Sequence, residues 1–263
     1  MKFYQVDAFT KQVFSGNPAV VCPLDAWLPD ELMQKIANEH NLSETVFFVA
    51  EDGGFRIRWF TPVAEIELCG HATLASAHVL YEHLGYAENQ IDFISMSGPL
   101  AVKRDSETLA LDFPARPVDS EVAIPAAAEQ ALGLVPQKAF GDGEKLMLVY
   151  ANKQEIAQIK PQFSLVAQMA KRNVMVTAPG DAVDFVCRVF VPNLGINEDP
   201  VTGSAYTSLV PYWSKRLAKK TLTARQLSAR GGEVFLQNNG ERIAIGGHAV
   251  TVLEGEYRFA AVP

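Results

Sequence analysis

Two short segments of this chain carry the residue types of an anion-binding helix start. Gly70-His71-Ala72 and Gly203-Ser204-Ala205 each lie in a long run without charged residues, and their small residues leave first-turn backbone N–H groups approachable. A helix N-terminus attracts anions by about 0.3–1 kcal/mol at a surface and up to about 2 kcal/mol when partly buried. We therefore expect both segments to bind a small carboxylate substrate. Two capped helices, with Thr202 as an N-cap, would explain the same pattern without a ligand.

A lone acidic residue, Glu44, precedes a strongly apolar strand, Thr45-Val46-Phe47-Phe48. Burial there would disfavour the charged form of the carboxyl group and suit it to accept and return a proton. The alternative is an exposed residue at the start of the strand that caps the preceding turn. In the repeat described below Glu44 aligns with Val174, so we expect only one half of the chain to carry this acid.

The second half supplies its own acid, Asp199, within Asn197-Glu198-Asp199-Pro200. We interpret this segment as part of a three-residue insertion before the helix that begins near Gly203. An acid there favours the helix dipole, and it could also act on a substrate beside His71 or opposite Glu44. Two acids on opposite faces of one carbon would racemise it, whereas one acid moving a proton along one face would shift a double bond. The sequence leaves both courses open.

Cys69 and Asn17 are further candidates. A thiol at a helix start can act as a nucleophile, so a hydrolase with Cys69 as nucleophile and His71 as base is an alternative. Residues two apart at a helix start rarely align in these roles. Asn17 is explained by a tight turn in Ser15-Gly16-Asn17-Pro18, but its amide is also a candidate substrate-binding group. Arg230 belongs to a second predicted turn and could clamp a carboxylate.

An internal repeat positions these residues. Residues 55–62 and 185–192 share four identities in eight positions at an offset of 130 residues. Charge-free runs follow each copy, over residues 68–81 and 200–214. A helix that is apolar on all sides is stable only when protein surrounds it. Each run therefore predicts a buried helix inside a curled sheet.

The predicted fold class is α+β, with two pseudo-symmetric lobes, each a curled, mainly antiparallel sheet or barrel around its central helix. We predict the first central helix from Gly70 to Leu84, ended by Gly85, and expect Pro211 to kink or divide the second. Helical spacing predicts shorter helices over residues 28–39 and 163–171. Predicted strands cover residues 19–22, 45–49, 55–60, 109–113, 147–149 and 185–191.

A proline-rich segment, Phe113-Pro114-Ala115-Arg116-Pro117, breaks the pattern between the two halves. We place the lobe boundary there, with an N-terminal lobe over residues 1–115 and a C-terminal lobe over residues 116–263. This division leaves open whether the last strand joins the sheet of the N-terminal lobe.

Composition excludes several classes of protein. The 263 residues contain 23 Lys+Arg and 30 Asp+Glu, and the net charge of −7 disfavours nucleic acid and anionic membranes as partners. No charge-free run is long enough to span a bilayer and no signal peptide is visible, so we expect a cytoplasmic protein. The three cysteines and five histidines form no Cys-x-x-Cys or His-x-x-x-His pair. We predict no metal site.

In combination, the motifs resemble the PhzF-like isomerase family of phenazine biosynthesis, whose relatives include diaminopimelate epimerase. They span nearly the whole chain: DAFT at 7–10, FSGNP at 14–18, NLSET at 41–45, LCGHAT at 68–73, DPVTGSA at 199–205 and ARGG at 229–232. The resemblance implies two similar lobes with the active site between them, no cofactor and a homodimer.

The same resemblance implies roles for single residues. Glu44 would transfer the proton, and His71, Asp199 and Ser204 would position the substrate. Gly70 and Gly203 would offer backbone N–H groups. The epimerase relatives use one cysteine in each lobe, whereas this chain has Thr202 where the second would stand, which disfavours a two-thiol racemase.

We therefore expect a cofactor-independent isomerase that moves a proton on a small carboxylate, with Glu44 as general acid and base. The main alternative is a binding module that holds a small carboxylate without turnover. An epimerase or racemase and the Cys69 hydrolase are the remaining alternatives.

Overall fold

The computed structural model describes residues 1–51 and 53–258. The chain divides into two compact units. The first unit contains Met1–Asp112 together with the segment from Gly246 onward, and the second contains Phe113–Ile245. The lobe boundary predicted from the sequence, between residues 115 and 116, lies three residues beyond this division.

The helices and strands of the described residues follow in chain order. The helices are α1 (Asp30–His40), α2 (Gly70–Glu82), α3 (Ala128–Leu132), α4 (Lys153–Gln158), α5 (Phe163–Val166) and α6 (Gly203–Leu217). The strands are β1 (Lys2–Ala8), β2 (Asn17–Leu24), β3 (Glu44–Glu51), β4 (Gly54–Phe60), β5 (Glu65–Ile66), β6 (Gln90–Ser95), β7 (Gly98–Asp105), β8 (Thr108–Pro114), β9 (Glu121–Val122), β10 (Lys138–Gly141), β11 (Lys145–Val149), β12 (Asn173–Pro179), β13 (Phe185–Val191), β14 (Ile196–Asp199), β15 (Thr221–Gln226), β16 (Gly232–Asn238), β17 (Arg242–Gly247) and β18 (Ala249–Glu256).

The first unit is a mixed sheet curled around α2. Strand β1 pairs antiparallel with β18 and β2, β2 runs parallel to β3, and β4 pairs antiparallel with β3 and β5 and parallel with β6. Helix α2 packs against β1, β2, β3, β7 and β18, and most of its residues are buried. An apolar helix is thereby shielded on several sides, as its sequence requires.

The second unit repeats the same order of pairings. Strand β10 pairs antiparallel with β9 and β11, β11 runs parallel to β12, and β13 pairs antiparallel with β12 and β14 and parallel with β15. Its central helix, α6, packs against β15 and β16. The internal repeat inferred from the sequence is confirmed by this identical strand order.

The two central helices differ from their predicted extents. Helix α2 ends at Glu82 rather than Leu84, because the backbone N–H groups of Leu84 and Tyr86 turn back to Val79 and Leu80. Gly85 has the expected positive φ, 69°, but it lies beyond the helix end.

Helix α6 continues through Pro211 without being divided. A proline in a helix leaves the carbonyl four residues earlier without its usual donor. Here that carbonyl belongs to Thr207, and it accepts the backbone N–H of Arg116 at 3.0 Å. Of the two predicted effects of Pro211, division of the helix was wrong, because the lost bond is replaced from another segment. A kink at Pro211 stays a prediction.

The strand registers correct two alignments made from the sequence. Thr45 pairs with Phe60 and Val174 pairs with Phe190, so Val174 matches Thr45. The counterpart of Glu44 is therefore Asn173, the first residue of β12.

The helix predicted over residues 163–171 is shorter in the structure, where α5 covers Phe163–Val166.

The three-residue insertion lies earlier than expected. Phe60 pairs with Glu65 and Phe190 pairs with Glu198, so the extra residues fall between Phe190 and Glu198. A 3-10 turn, Pro192–Leu194, occupies part of this segment. By the same registers Asp199 is the counterpart of Ile66, so this acid is a substitution within the repeat and not a product of the insertion.

Candidate active site

A buried carboxylate and imidazole lie at the centre of the candidate site in the first unit. Oε2 of Glu44 is 3.1 Å from Nε2 of His71, and the two side chains are only 12% and 6% exposed. Neither atom has an aligned hydrogen bond among the described residues. The pair is thus in charge contact while keeping hydrogen-bonding capacity, as a group that exchanges protons with a ligand requires.

Two adjacent strands and a helix bring these residues together. Glu44 is the first residue of β3 and pairs with Ala19 of the parallel strand β2. His71 is the second residue of α2, which packs on both strands. Parallel strands place corresponding side chains on the same face, so the start of β3 faces the start of the helix.

Asn17 fixes the other side of the His71 ring. Its Nδ2 lies 3.1 Å from Nδ1 of His71, and its side chain is fully buried. The amide can serve either charge state of the ring, because its nitrogen donates to a neutral imidazole and its oxygen can accept from an imidazolium. Asn17 therefore orients the histidine, which is a role that the sequence analysis did not assign to it.

The turn before Asn17 is built for this placement. Oδ2 of Asp7 accepts the backbone N–H of Phe14 at 2.6 Å. Gly16 has φ +64°, and a Cβ atom there would lie 2.1 Å from the carbonyl oxygen of Ala8. The turn can close only with glycine at this position.

Cys69 is closer to His71 than the sequence analysis expected. Its Sγ lies 3.5 Å from Nδ1 of the ring, so residues two apart do align at this helix start. Cys69 is the N-cap residue of α2 and is buried. Because Glu44 contacts the opposite ring nitrogen, the three residues form a chain of Cys69, His71 and Glu44.

Burial and charge set the protonation of this chain. Burial, and then the charge of Glu44, raise the pKa of the Cys69 thiol, so the thiol is neutral near neutral pH. Burial alone would lower the pKa of His71, but Cys69 and Glu44 raise it well above its ordinary value. Since a neutral thiol exerts little attraction, we attribute the raised pKa of His71 mainly to Glu44.

Among the described residues, these three are also the group whose side chains lie close enough together to bind a metal ion. One potential ligand atom from each of Glu44, Cys69 and His71 lies within 4.8 Å of the other two. However, the ring presents Nε2 to Glu44 and Nδ1 to Cys69, and a metal ion binds only one nitrogen of a given ring. The geometry favours a chain of contacts through both ring nitrogens, and the predicted lack of a metal site stays a prediction.

The remaining residues at the start of α2 are Gly70 and Ala72. Gly70 is partly buried, whereas Ala72 is fully buried, and the Ala72 backbone N–H donates toward Cys69. The amide of Gly70 is one of the first-turn groups that have no partner within a helix. Of the two, Gly70 is the better candidate for contact with a ligand.

Asp199, Gly203 and Ser204 lie together in the second unit, at the end of β14 and the start of α6. Gln226 holds this segment in place. Its Nε2 donates to the Asp199 carbonyl at 2.6 Å, and its Oε1 accepts the Thr202 N–H at 3.0 Å. Thr202 is the N-cap residue as predicted, but its side chain does not cap α6.

A serine clamp holds the segment before each central helix. Oγ of Ser228 donates to the Pro200 carbonyl at 2.8 Å, and Oγ of Ser97 donates to the Glu67 carbonyl at 3.0 Å. Each serine stands two residues after the last residue of its strand, β15 or β6. No sequence motif pointed to Gln226, whereas the two serines are paired when the repeat is extended beyond β13.

Comparisons with known proteins are consistent with this geometry. The family model described as phenazine biosynthesis-like protein matches residues 6–255. An uncharacterized isomerase of Pseudomonas aeruginosa is 53% identical over 260 residues, covering 99% of each chain. The crystal structure of a PhzF-family phenazine biosynthesis protein from Enterococcus faecalis has a TM-score of 0.95 at 46% identity, covering 98% of this chain and 99% of that one.

A more distant structure shows the fold alone. A hydroxyproline epimerase from Agrobacterium vitis has a TM-score of 0.62 at 10% identity, covering 97% of this chain and 91% of that one. The predicted α+β fold of the diaminopimelate-epimerase type is confirmed, and the class of protein is an isomerase.

The chain belongs to the phenazine biosynthesis-like, or PhzF, family. The resemblance inferred from the sequence motifs is thereby confirmed. No helix in the described part of the chain is long and apolar enough to cross a bilayer.

Proposed function

We propose that this protein is a cofactor-independent isomerase that moves a proton within a small carboxylate substrate. Glu44 removes the proton from a carbon atom and returns it to another. The observation that supports this role is the buried contact between Glu44 and His71 at 3.1 Å. Backbone N–H groups at the start of α2 bind the substrate's carboxylate. The substrate-positioning roles of Asp199 and Ser204 stay predictions from the sequence.

His71 has a defined part in this proposal. Its raised pKa keeps the ring cationic beside Glu44, and a positive charge there stabilises negative charge that develops on the substrate as the proton leaves. A general acid or base contributes about 10²–10⁴-fold to a rate. The remaining acceleration comes from hydrogen-bond donors that stabilise the enolate-like oxygen.

The test is exchange of carbon-bound hydrogen in heavy water, measured by NMR or mass spectrometry over a panel of small carboxylates. The wild-type protein should incorporate deuterium into at least one of them. Glu44→Gln keeps the size of the side chain but removes the base, so exchange should fall by about 10²-fold or more.

Glu51→Gln is the matched control, because Glu51 ends the same strand and its side chain is 39% exposed beside Arg56. It should exchange at the wild-type rate. Exchange that survives in Glu44→Gln would contradict the proposal. Carboxylate binding without exchange in the wild-type protein would favour the binding module instead.

A second candidate is a cysteine hydrolase, because Cys69, His71 and Glu44 are arranged as nucleophile, base and orienting acid. The distances of 3.5 Å and 3.1 Å favour it. Burial and the raised pKa of the Cys69 thiol oppose it, since the thiolate is the nucleophile.

Thiol labelling distinguishes the two candidates. With iodoacetamide near neutral pH we expect Cys69 in the folded protein to react at least about tenfold more slowly than a free cysteine, because its thiolate fraction is small. Mass spectrometry of the digested protein measures the labelled fraction at this residue. Rapid, selective labelling of Cys69 would favour the hydrolase.

A further inference from the structure

The second unit contains a half-buried cation, Lys145, that forms no salt bridge among the described residues. Lys145 begins β11, and its Nζ is 3.2 Å from Oγ of Ser208 on α6. Ser208 is buried and its hydroxyl donates to the Arg116 carbonyl at 2.7 Å. The lysine ammonium group therefore has one neutral acceptor and keeps two N–H groups for a further ligand.

The charges around Lys145 do not compensate it. Burial lowers the pKa of Lys145, and Arg116 and Arg172 lower it further. Asp142 opposes this change, and its Oδ1 accepts the backbone N–H groups of Glu144 and Lys145 at 2.9 Å and 2.7 Å. One carboxylate thus faces three cationic groups, Lys145, Arg116 and Arg172. An excess of positive charge remains where the ammonium group is partly desolvated, which favours binding of an anion.

A buried amide shares this face of the sheet. Asn173 pairs with Lys145 across the parallel strands β11 and β12, and paired residues on adjacent strands point their side chains to the same side. Asn173 is only 6% exposed, and its Oδ1 has no hydrogen-bond partner among the described residues. A buried polar atom without a partner usually marks a site for a ligand or water.

The position within the repeat is informative. Asn173 occupies the place that Glu44 has in the first unit, and Lys145 occupies the place of Ala19, as the paired registers show. The second unit thus has an amide and a cation where the first has a carboxylate and a methyl group. The equivalent strand pair therefore carries a negative group on its second strand in the first unit and a positive group on its first strand in the second unit.

We propose that Lys145, Ser208 and Asn173 form an anion-binding site for the carboxylate of a small molecule. The ammonium group of Lys145 pairs with the carboxylate, and Ser208 holds the ammonium group against α6. Because a carboxylate only accepts hydrogen bonds, Asn173 contributes through its Nδ2 donor, with its amide turned over so that Nδ2 takes the place of the unpartnered Oδ1. This assignment goes beyond proton transfer by Glu44 and does not depend on it.

The test is a titration of the full-length protein with acetate and succinate, followed by NMR of the lysine side chains labelled at Cε. The Lys145 signal should shift and saturate, and its pKa should rise when the anion binds. Lys145→Met should lower the affinity at least tenfold. Lys138→Met is the matched control, because Lys138 is exposed on β10 beside Glu121, and it should bind as the wild type does.

Further variants separate the site from general effects. Ser208→Ala should weaken binding by a few fold, and Glu44→Gln should leave it unchanged. Inorganic phosphate in the same titration separates carboxylate recognition from simple attraction of charge, and weaker saturation than with succinate is expected. Thermal unfolding of Lys145→Met should show a fold at least as stable as the wild type, since the variant removes a partly desolvated charge.

The proposal is wrong if the wild-type Lys145 signal does not saturate, or if Lys145→Met binds succinate as tightly as Lys138→Met does. Retained binding in Glu44→Gln together with lost proton exchange would show that the anion site and the proton-transfer site are separate properties of the chain.

Discussion

The chemistry of the candidate site depends on the electrostatic coupling of two side chains. Glu44 and His71 lie 3.1 Å apart with little exposure to solvent. In such surroundings a histidine on its own would be neutral, because burial penalises its charged form. The raised pKa of His71 shows that its neighbours overcome this penalty.

Replacing the acid should reverse the pKa shift of His71. In Glu44→Gln the effect of burial is no longer opposed by the charge of Glu44, so we expect the pKa of His71 to fall below its wild-type value. An NMR titration of the labelled imidazole measures it. Glu51→Gln should leave the pKa of His71 unchanged, and an unchanged pKa in Glu44→Gln would refute the coupling.

The same coupling predicts how stability depends on pH. The pKa of His71 is higher in the folded protein than in the unfolded chain, where it is about 6.5. Its protonation therefore stabilises the fold fully below about pH 6.5, and this contribution is lost as pH rises through the folded-state pKa. Urea unfolding should thus show a larger loss of stability in Glu44→Gln at about pH 6 than at about pH 10.

At the scale of elements, one turn determines where His71 is held. The turn that ends at Gly16 delivers Asn17 to the start of β2, and Asn17 contacts the imidazole. Glu44 is the first residue of β3, and His71 is the second residue of α2. The site is thus assembled from the starts of β2, β3 and α2. Its geometry therefore depends on the conformation of the segment that precedes each of these elements.

Gly16→Ala should be strongly destabilising. The new Cβ would lie 2.1 Å from a backbone oxygen at φ +64°, and this clash adds to the strain of the left-handed conformation. Gly85→Ala is the matched control, with φ +69° and nothing within 4 Å of the new Cβ.

We expect Gly16→Ala to lower the free energy of unfolding by about 2–4 kcal/mol and Gly85→Ala by about 1 kcal/mol. Urea denaturation measures both. Equal losses in the two variants would show that the close approach to Ala8 has no energetic consequence.

At the scale of the whole molecule, an arginine–glutamate pair recurs in both units. Arg58 binds Glu65 through Nε and Nη2, both at 2.7 Å. Arg188 binds Glu198 in the same two-pronged geometry at 2.8 Å and 2.9 Å. Each pair joins the long central strand to the short strand that precedes the central helix, which makes it a structural part of the repeat.

The two copies should differ in their effect on stability. Arg188 also donates to the carbonyls of Ile159 and Ile156 and is 12% exposed, against 21% for Arg58. We expect Arg188→Met to cost about 3–5 kcal/mol, because it leaves the partly buried Glu198 carboxylate and two carbonyls without their donor. Arg58→Met should cost about 1–3 kcal/mol. Chemical denaturation of the two variants checks the order, and a larger loss for Arg58→Met would contradict it.

Much of the local structure could be predicted from the sequence. The strand over residues 185–191 has the predicted bounds, and both central helices begin at the glycines that were expected. These features follow from short-range physics, since charge-free runs need burial and glycine permits tight helix starts. The motifs at Glu44, His71 and Asp199 were enough to identify the family.

The partners of those residues were decided only by tertiary structure. The register between strands shows that Asn173, and not Val174, is the residue of the second unit that corresponds to Glu44. Packing brought Cys69 and Asn17 to Nδ1 of the His71 ring and left Lys145 beside Ser208. Hydrogen bonds, charge and desolvation act over a few ångströms, and residues far apart in the chain reach that range only after the sheet has curled around its helix.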